Sequence, residues 1–174
     1  GAAKIDHSVF SGNWAGTGGG GGAIWNTGQM VIDESSFDGN ATVRIAGSIL
    51  NGGSLQLRAC SFLRNLANLG GGGIVNYGEL LSQDSTIAEN EINVVAEGGG
   101  LTNGGKAVLV NTTVYGNSGG VGGAGISNDG SLVLINSTIS TNHGFLGVGG
   151  ILNSSLGSVV VRNSLILGNH SRSQ

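Results

Sequence analysis

Apolar and polar residues alternate in short runs along this chain, and the runs recur. In Ser131-Leu132-Val133-Leu134-Ile135, Leu132 and Leu134 fall on one face, as strand residues two apart do. Asn136 interrupts the run, and Ser137 and Ile139 then alternate in turn. Asn142 ends that segment, a glycine-rich stretch follows, and Gly150-Ile151-Leu152-Asn153 begins the next. No stretch carries helical spacing. Three short strands are therefore predicted in each unit, separated by Asn or Gly corners that tolerate positive φ.

The unit returns every 25–27 residues. Asn-x-Gly occurs at Asn26, Asn51, Asn76, Asn103 and Asn128, with a stretched copy from Asn153 to Gly157. A second series places Asn three positions after an apolar residue, at Asn13, Asn40, Asn65, Asn90, Asn117, Asn142 and Asn169. Two series in step describe one supersecondary unit repeated about seven times. Alignment turns the repeats into columns. Two leucine-rich columns begin Ala3, Met30, Leu55 and Ile5, Ile32, Leu57; a small-residue column runs Ser8, Ser35, Cys60, Ser85, Thr112, Ser137, Ser164. Phe10, Phe37, Phe62, Ile87, Val114, Ile139 and Ile166 form another, and Ile24, Ile49, Ile74, Leu101, Ile126 and Ile151 the last.

Stacked units bury these columns inside a tube, which no unit can do alone. The predicted fold is all-β: a right-handed parallel β-helix, or solenoid, of about seven coils of 25–27 residues. The hand follows from the rule for parallel crossovers. Strands about 4.8 Å apart make a rod on the order of 30 Å long. The thirteen asparagines of the two series are expected to form amide ladders that bond to the coils above and below. Leucine-rich repeats share the period but need a Leu-x-x-Leu-x-Leu-x-x-Asn core and a less β-like return. The whole chain, 1–174, reads as one β-helix domain, either a segment of a longer repeat protein or a filament subunit.

Gly21-Gly22-Ala23-Ile24 together with Phe10…Asn13, Phe37…Asn40 and Phe62…Asn65 resembles the GGAI/FxxN repeats of chlamydial polymorphic outer-membrane proteins. It is similar as well to the wider group of bacterial surface proteins with right-handed β-helix repeats. The resemblance covers the whole chain, although later coils relax Phe to Ile or Val and only one coil keeps the full Gly-Gly-Ala-Ile. It implies a secreted or surface-exposed passenger, often adhesive, and implies no catalytic residues.

Composition narrows the functional classes. The 174 residues include 36 Gly and no Pro; 39% are hydrophobic, 10% charged, and the net charge is −3. Seven scattered Lys and Arg are no footprint for nucleic acid. No apolar run is long enough for a membrane-spanning helix. No charged-then-apolar leader opens the sequence, so a signal peptide is expected to be removed or to lie outside it. One cysteine, Cys60, allows no internal disulfide and fits a buried filler among serines.

Chemical motifs are sparse. Gly120 to Gly125 fits G-x-G-x-x-G, but a strand and corner follow where a dinucleotide site needs a helix, so these glycines read as flexible spacers. Calcium-binding nonapeptides need an Asp that no glycine block carries. Asp6 and Asp33 share an outward column with Arg58, and Glu34 adjoins them. A β-helix polysaccharide lyase or hydrolase would use such a group as base or clamp. The plainer reading is a solvated charged ladder, its repulsion relieved by Arg58. His7, His143 and His170 read as lying in different columns, which leaves no shared metal site. No cofactor is expected. Asn-x-Ser/Thr sequons such as Asn136-Ser137-Thr138 occur at the frequency this composition gives by chance. A hydroxyl ladder, Ser36, Ser61, Thr86, Thr113 and Thr138, lacks the second threonine row of an ice-binding face. Trp14, Trp25, Tyr77 and Tyr115 fall in different columns, so no ring platform for sugars is expected.

One outward feature stands out. Val108, Val110, Val133, Ile135 and Val160 lie on one outer face of the C-terminal half, whereas Lys4, Asp6, Asp33 and Arg58 make the same face polar in the N-terminal half. Such a patch marks a contact surface, and lateral packing against another chain or segment is expected there. The chain begins in mid-coil at Gly1 and stops at Gln174 before the next strand, which points to neighbouring repeats or to end-to-end stacking of copies. The expected function is a non-enzymatic extracellular or cell-surface β-helix of bacterial type, building a filament, sheath or adhesin stalk. The alternative is a carbohydrate-active β-helix enzyme or glycan-binding module.

Overall fold

The structure, a computed structural model, describes residues 1–93 and 97–171; Gln174 lies outside the described residues. Every strand pairing in it is parallel. The first sheet stacks seven five-residue strands from Ala2–Asp6 to Ser158–Arg162, each paired with the strand one coil earlier and one coil later. The second stacks seven three-residue strands from Val9–Ser11 to Leu165–Leu167. A six-stranded sheet runs from Ile24–Asn26 to Ile151–Asn153. The chain is thus a β-solenoid of stacked coils.

The three strands expected in each coil are present, and a fourth joins them. It is two residues long, follows the second asparagine directly, and stacks from Trp14–Ala15 to His170–Ser171 in a further seven-stranded sheet. Two residues are too short to display an alternation, and its inward positions (Ala15, Thr42, Ala67, Ile92, Gly119, Gly144) share no chemistry.

Register is kept residue for residue. Ile74 pairs with Ile49 below and Leu101 above, and Leu109 with Ser82 and Leu134. The aliphatic columns are buried as one continuous core that runs from Ile32 and Phe37 to Leu134 and Ile139. Each fully buried aliphatic side chain contributes roughly 1.5–3 kcal/mol. Phe10, Phe37 and Phe62 stack face to face, with centroids 4.6 and 4.8 Å apart and planes within 8°. That is the spacing of neighbouring strands, so the rings repeat at the step of the coil.

Sharp corners separate the strands. The corner after the first sheet is held by residues with positive φ: His7, Glu34, Ala59, Asp84, Asn111, Asn136 and Asn163, all between 44° and 51°. Asparagine thus occupies only three of seven positions that the sequence reading assigned to Asn or Gly. The corner after the second sheet uses Gly12, Gly39, Gly116 and Gly168, but also Arg64, Glu89 and Thr141. Thr141, at φ 55°, is a β-branched residue in the left-handed region. Such a backbone costs about 1–2 kcal/mol, of which glycine's extra chain entropy would return roughly 0.5–1. Thr141→Gly is therefore expected to stabilise the fold by about 1 kcal/mol in urea unfolding; a loss of stability would show that the Thr side chain holds the corner.

Candidate functional site

The surfaces of this molecule are built coil by coil. Three polar ladders set their geometry. In the Asn-x-Gly ladder, the Asn51 Nδ2 donates to Asn76 Oδ1 at 2.7 Å, to Gly53 O at 3.1 Å and to Glu79 O at 3.0 Å. Asn26, Asn76, Asn103 and Asn128 repeat the pattern, ending on Asn153. In the second ladder, Asn40 Nδ2 donates to Asn65 Oδ1 at 3.0 Å and to Phe10 O at 2.9 Å. Asn13, Asn65, Asn90, Asn117 and Asn142 continue it to Asn169. The third ladder is the small-residue column, in which the hydroxyls of Ser35, Ser85, Ser137 and Ser164 accept from the backbone one coil away, as Ser85 Oγ accepts from Cys60 N at 3.1 Å. The asparagines inside both series are buried and bonded, whereas Asn13 and Asn153 at the ladder ends are exposed and Asn169 is half-buried.

Cys60 sits in that column, buried, with Sγ near the carbonyls of Ile32 and Arg58 at 3.4 and 3.3 Å. Burial pushes its thiol up from the ordinary value, which opposes thiolate chemistry.

The glycine-rich stretches are not flexible spacers. They close each coil across the outer face of the six-stranded sheet and bond to one another from coil to coil, as Gly22 N to Ala46 O at 2.9 Å and Gly47 N to Gly71 O at 3.0 Å. Beneath them lies a second apolar cluster of Ala46, Leu50 and Val75, with Ile45 packed against it. A Cβ at Gly20 would meet Leu50 Cδ2 at 2.8 Å, and one at Gly71 would run into the Val75 methyl. Glycine is needed here for close approach. The outward apolar pair Leu50 and Val75, each flanked by Ile and Asn, is the sequence signal for this cover.

The charged group at the N-terminal end has a different wiring from the one expected. Asp33 is paired by Lys4 at 3.6 Å, and His7 bridges Asp6 at 2.8 Å and Glu34 at 2.9 Å. Lys4, and not Arg58, is the cation that reaches Asp33: Asp33 and Arg58 are register partners without an ion pair between them among the described residues. On the second sheet's outer face Arg64 holds Asp38 at 2.6 Å, which pushes its guanidinium above the ordinary value.

The outer apolar face stands as the columns predict. Val108, Val133 and Val160 are consecutive register partners, as are Val110, Ile135 and Arg162. Val160 is 43% exposed, and the others are half-buried by their own neighbours in the ladder. Beside them, Ser54, Gln56, Glu79, Leu81, Lys106 and Val108 line a shallow groove. Trp14, Trp25 and Tyr115 do lie in separate columns, with Trp25 partnering Leu50, Tyr115 partnering Ala88 and Ser140, and Trp14 partnering Ala41.

The histidines require a correction. His143 and His170 are direct register partners, with ring centroids 5.8 Å apart. Each follows a ladder asparagine by one residue, Asn142 and Asn169, which is the signal that places them together. Only His7 stands apart. Among the described residues no group of three or more His, Cys, Asp or Glu is arranged to hold a metal ion, and no helix is long and apolar enough to cross a membrane.

Comparison of the chain with family models, curated proteins and solved structures finds no match.

Proposed function

We propose that this chain is a non-enzymatic, extracellular or cell-surface structural rod that associates with copies of itself. The observation that carries this reading is the contiguous apolar face of Val108, Val110, Val133, Ile135 and Val160, on a sheet whose N-terminal end is charged. Apolar surface repeated in register over successive coils offers a flat strip, and a second rod laid along it would remove that strip from water. The charged half of the same face, with Lys4, Asp6, Asp33 and Arg58, would set the lateral register.

The GGAI/FxxN-like motifs favour the same setting, a passenger displayed outside a bacterial cell. The carboxylates that a lyase would use are engaged by Lys4 and His7, and the near-constant coil length builds no wall for a cleft. A glycan-binding module is the second reading. It is favoured by Trp25, 63% exposed, at the edge of a recess with Thr17, Arg44 and Leu50.

The test is assembly. Replacing Val108, Val133 and Val160 together by Thr keeps shape and β-propensity while it removes the apolar strip. Light scattering is expected to show association of the parent protein that the triple variant loses, and electron microscopy to show side-by-side rods. Equal association of the two proteins would overturn the lateral interface.

A further inference from the structure

We propose that His143 and His170 form a two-imidazole site for a borderline divalent cation, zinc or copper(II) in the first instance. The backbone beneath the two side chains is fixed. His143 N donates to Asn117 O at 2.8 Å and His170 N to Asn142 O at 2.9 Å. The asparagines immediately before them are joined through Asn142 Nδ2 and Asn169 Oδ1 at 2.9 Å. The two rings therefore leave adjacent coils from equivalent positions, in the same direction, with planes 22° apart.

Their separation suits chelation. Metal–nitrogen bonds of about 2.0–2.1 Å hold the centroids of two bound imidazoles roughly 4.5–6.5 Å apart, depending on the angle at the metal. The observed 5.8 Å lies inside that range. Both histidines are exposed, so a turn about each side chain aims a nitrogen at the common point at little cost. A recess of about 240 Å³ lined by Ser118, Gly144, Phe145 and the two rings gives the ion room. Among the described residues no ammonium, guanidinium or carboxylate lines it. Imidazole nitrogens select zinc, copper and nickel over magnesium and calcium. Water completes the coordination shell, with Ser118, the next residue of the same outward column, positioned to hydrogen-bond to it. His7 does not compete, because both of its nitrogens already face carboxylates.

Titration calorimetry with zinc chloride and with copper(II) chloride, each added alone to the whole chain, tests the site. Binding of roughly one cation per chain is expected, weakened at least about tenfold in His143→Ala and in His170→Ala and unchanged in His7→Ala. Magnesium is expected to give no heat of binding at the same concentration. Both altered side chains are exposed, and far-ultraviolet circular dichroism of each variant verifies that the coils persist; His143→Gln, which keeps the size and loses the metal-binding nitrogen, serves as the second variant. The proposal is overturned if the parent protein takes up neither ion at roughly 1 mM. Retention of affinity by either single variant, or loss of it in His7→Ala, overturns it equally.

Discussion

Asn65→Ala is expected to cost about 4 kcal/mol of stability, because it strips partners from four buried groups at once. The Asn65 Oδ1 accepts from both Asn40 N and Asn40 Nδ2 at 3.0 Å, and its Nδ2 donates to Phe37 O at 3.1 Å and Asn90 Oδ1 at 2.9 Å. Asn65 is wholly buried, so water cannot replace any of these bonds. Each lost bond to a buried group costs about 1–3 kcal/mol, and the sum is reduced because Asn40 Nδ2 keeps Phe10 O and Asn90 Oδ1 keeps the backbone N–H of residue 65. The end of the same ladder provides the contrast. Asn13 is exposed and shares its amide only with Asn40, so Asn13→Ala is expected to cost no more than about 1 kcal/mol. Urea denaturation of both variants measures the difference. Similar losses at the two sites would mean that the ladder acts as independent pairs and that burial does not set its strength.

The ladder also explains why the fold could be read from the repeat. An amide that must bond to its own copy one coil away forces asparagine to return at a fixed interval, and the aliphatic columns must return with it. The period, the columns, the strand registers and the buried asparagines were all legible for that reason. What stayed hidden has equally physical causes. The two-residue strand from Ala41 to Thr42 and its equivalents has no alternation to detect. The corner after the first sheet accepts Glu34 and Ala59 in the left-handed region, because the stacked strands on either side over-determine the backbone there. Ion pairing at Asp33 depends on which side chain reaches it, and Lys4, two positions from Asp6 along the neighbouring strand, reaches where the register partner Arg58 does not. The histidine pair was within reach of the same reasoning that found the ladder. The outward face was legible as a pattern of side chains, whereas its partner depends on chemistry outside this chain.

Glycine carries the other large prediction, at two neighbouring positions of one motif. Gly53→Ala is expected to cost at least about 3 kcal/mol, while Gly52→Ala is expected to be neutral or to stabilise by up to about 1 kcal/mol. A Cβ at Gly53 would run into the carbonyl oxygen of Gly28 in the coil below, with Gly28 N and Thr27 C both 2.8 Å away. All three are backbone atoms. They cannot give way, because Gly28 O accepts from Ser54 N at 2.8 Å and Asn51 Nδ2 pins Gly53 O at 3.1 Å. Gly78, Gly105 and Gly130 meet the glycine carbonyl of the coil below in the same way, so the last residue of Asn-x-Gly is glycine for want of space between coils. At Gly52 the nearest atom to a new Cβ is Asn26 O at 3.8 Å, and its φ lies outside the left-handed region. Alanine there meets no clash and reduces the freedom of the unfolded chain. Thermal and urea unfolding of the two variants should therefore move in opposite directions, or one should move and the other stay. Two small, equal shifts would mean that the coils are separated by more than a strand spacing at this corner, and the account of the motif as a contact between backbones would fall with them.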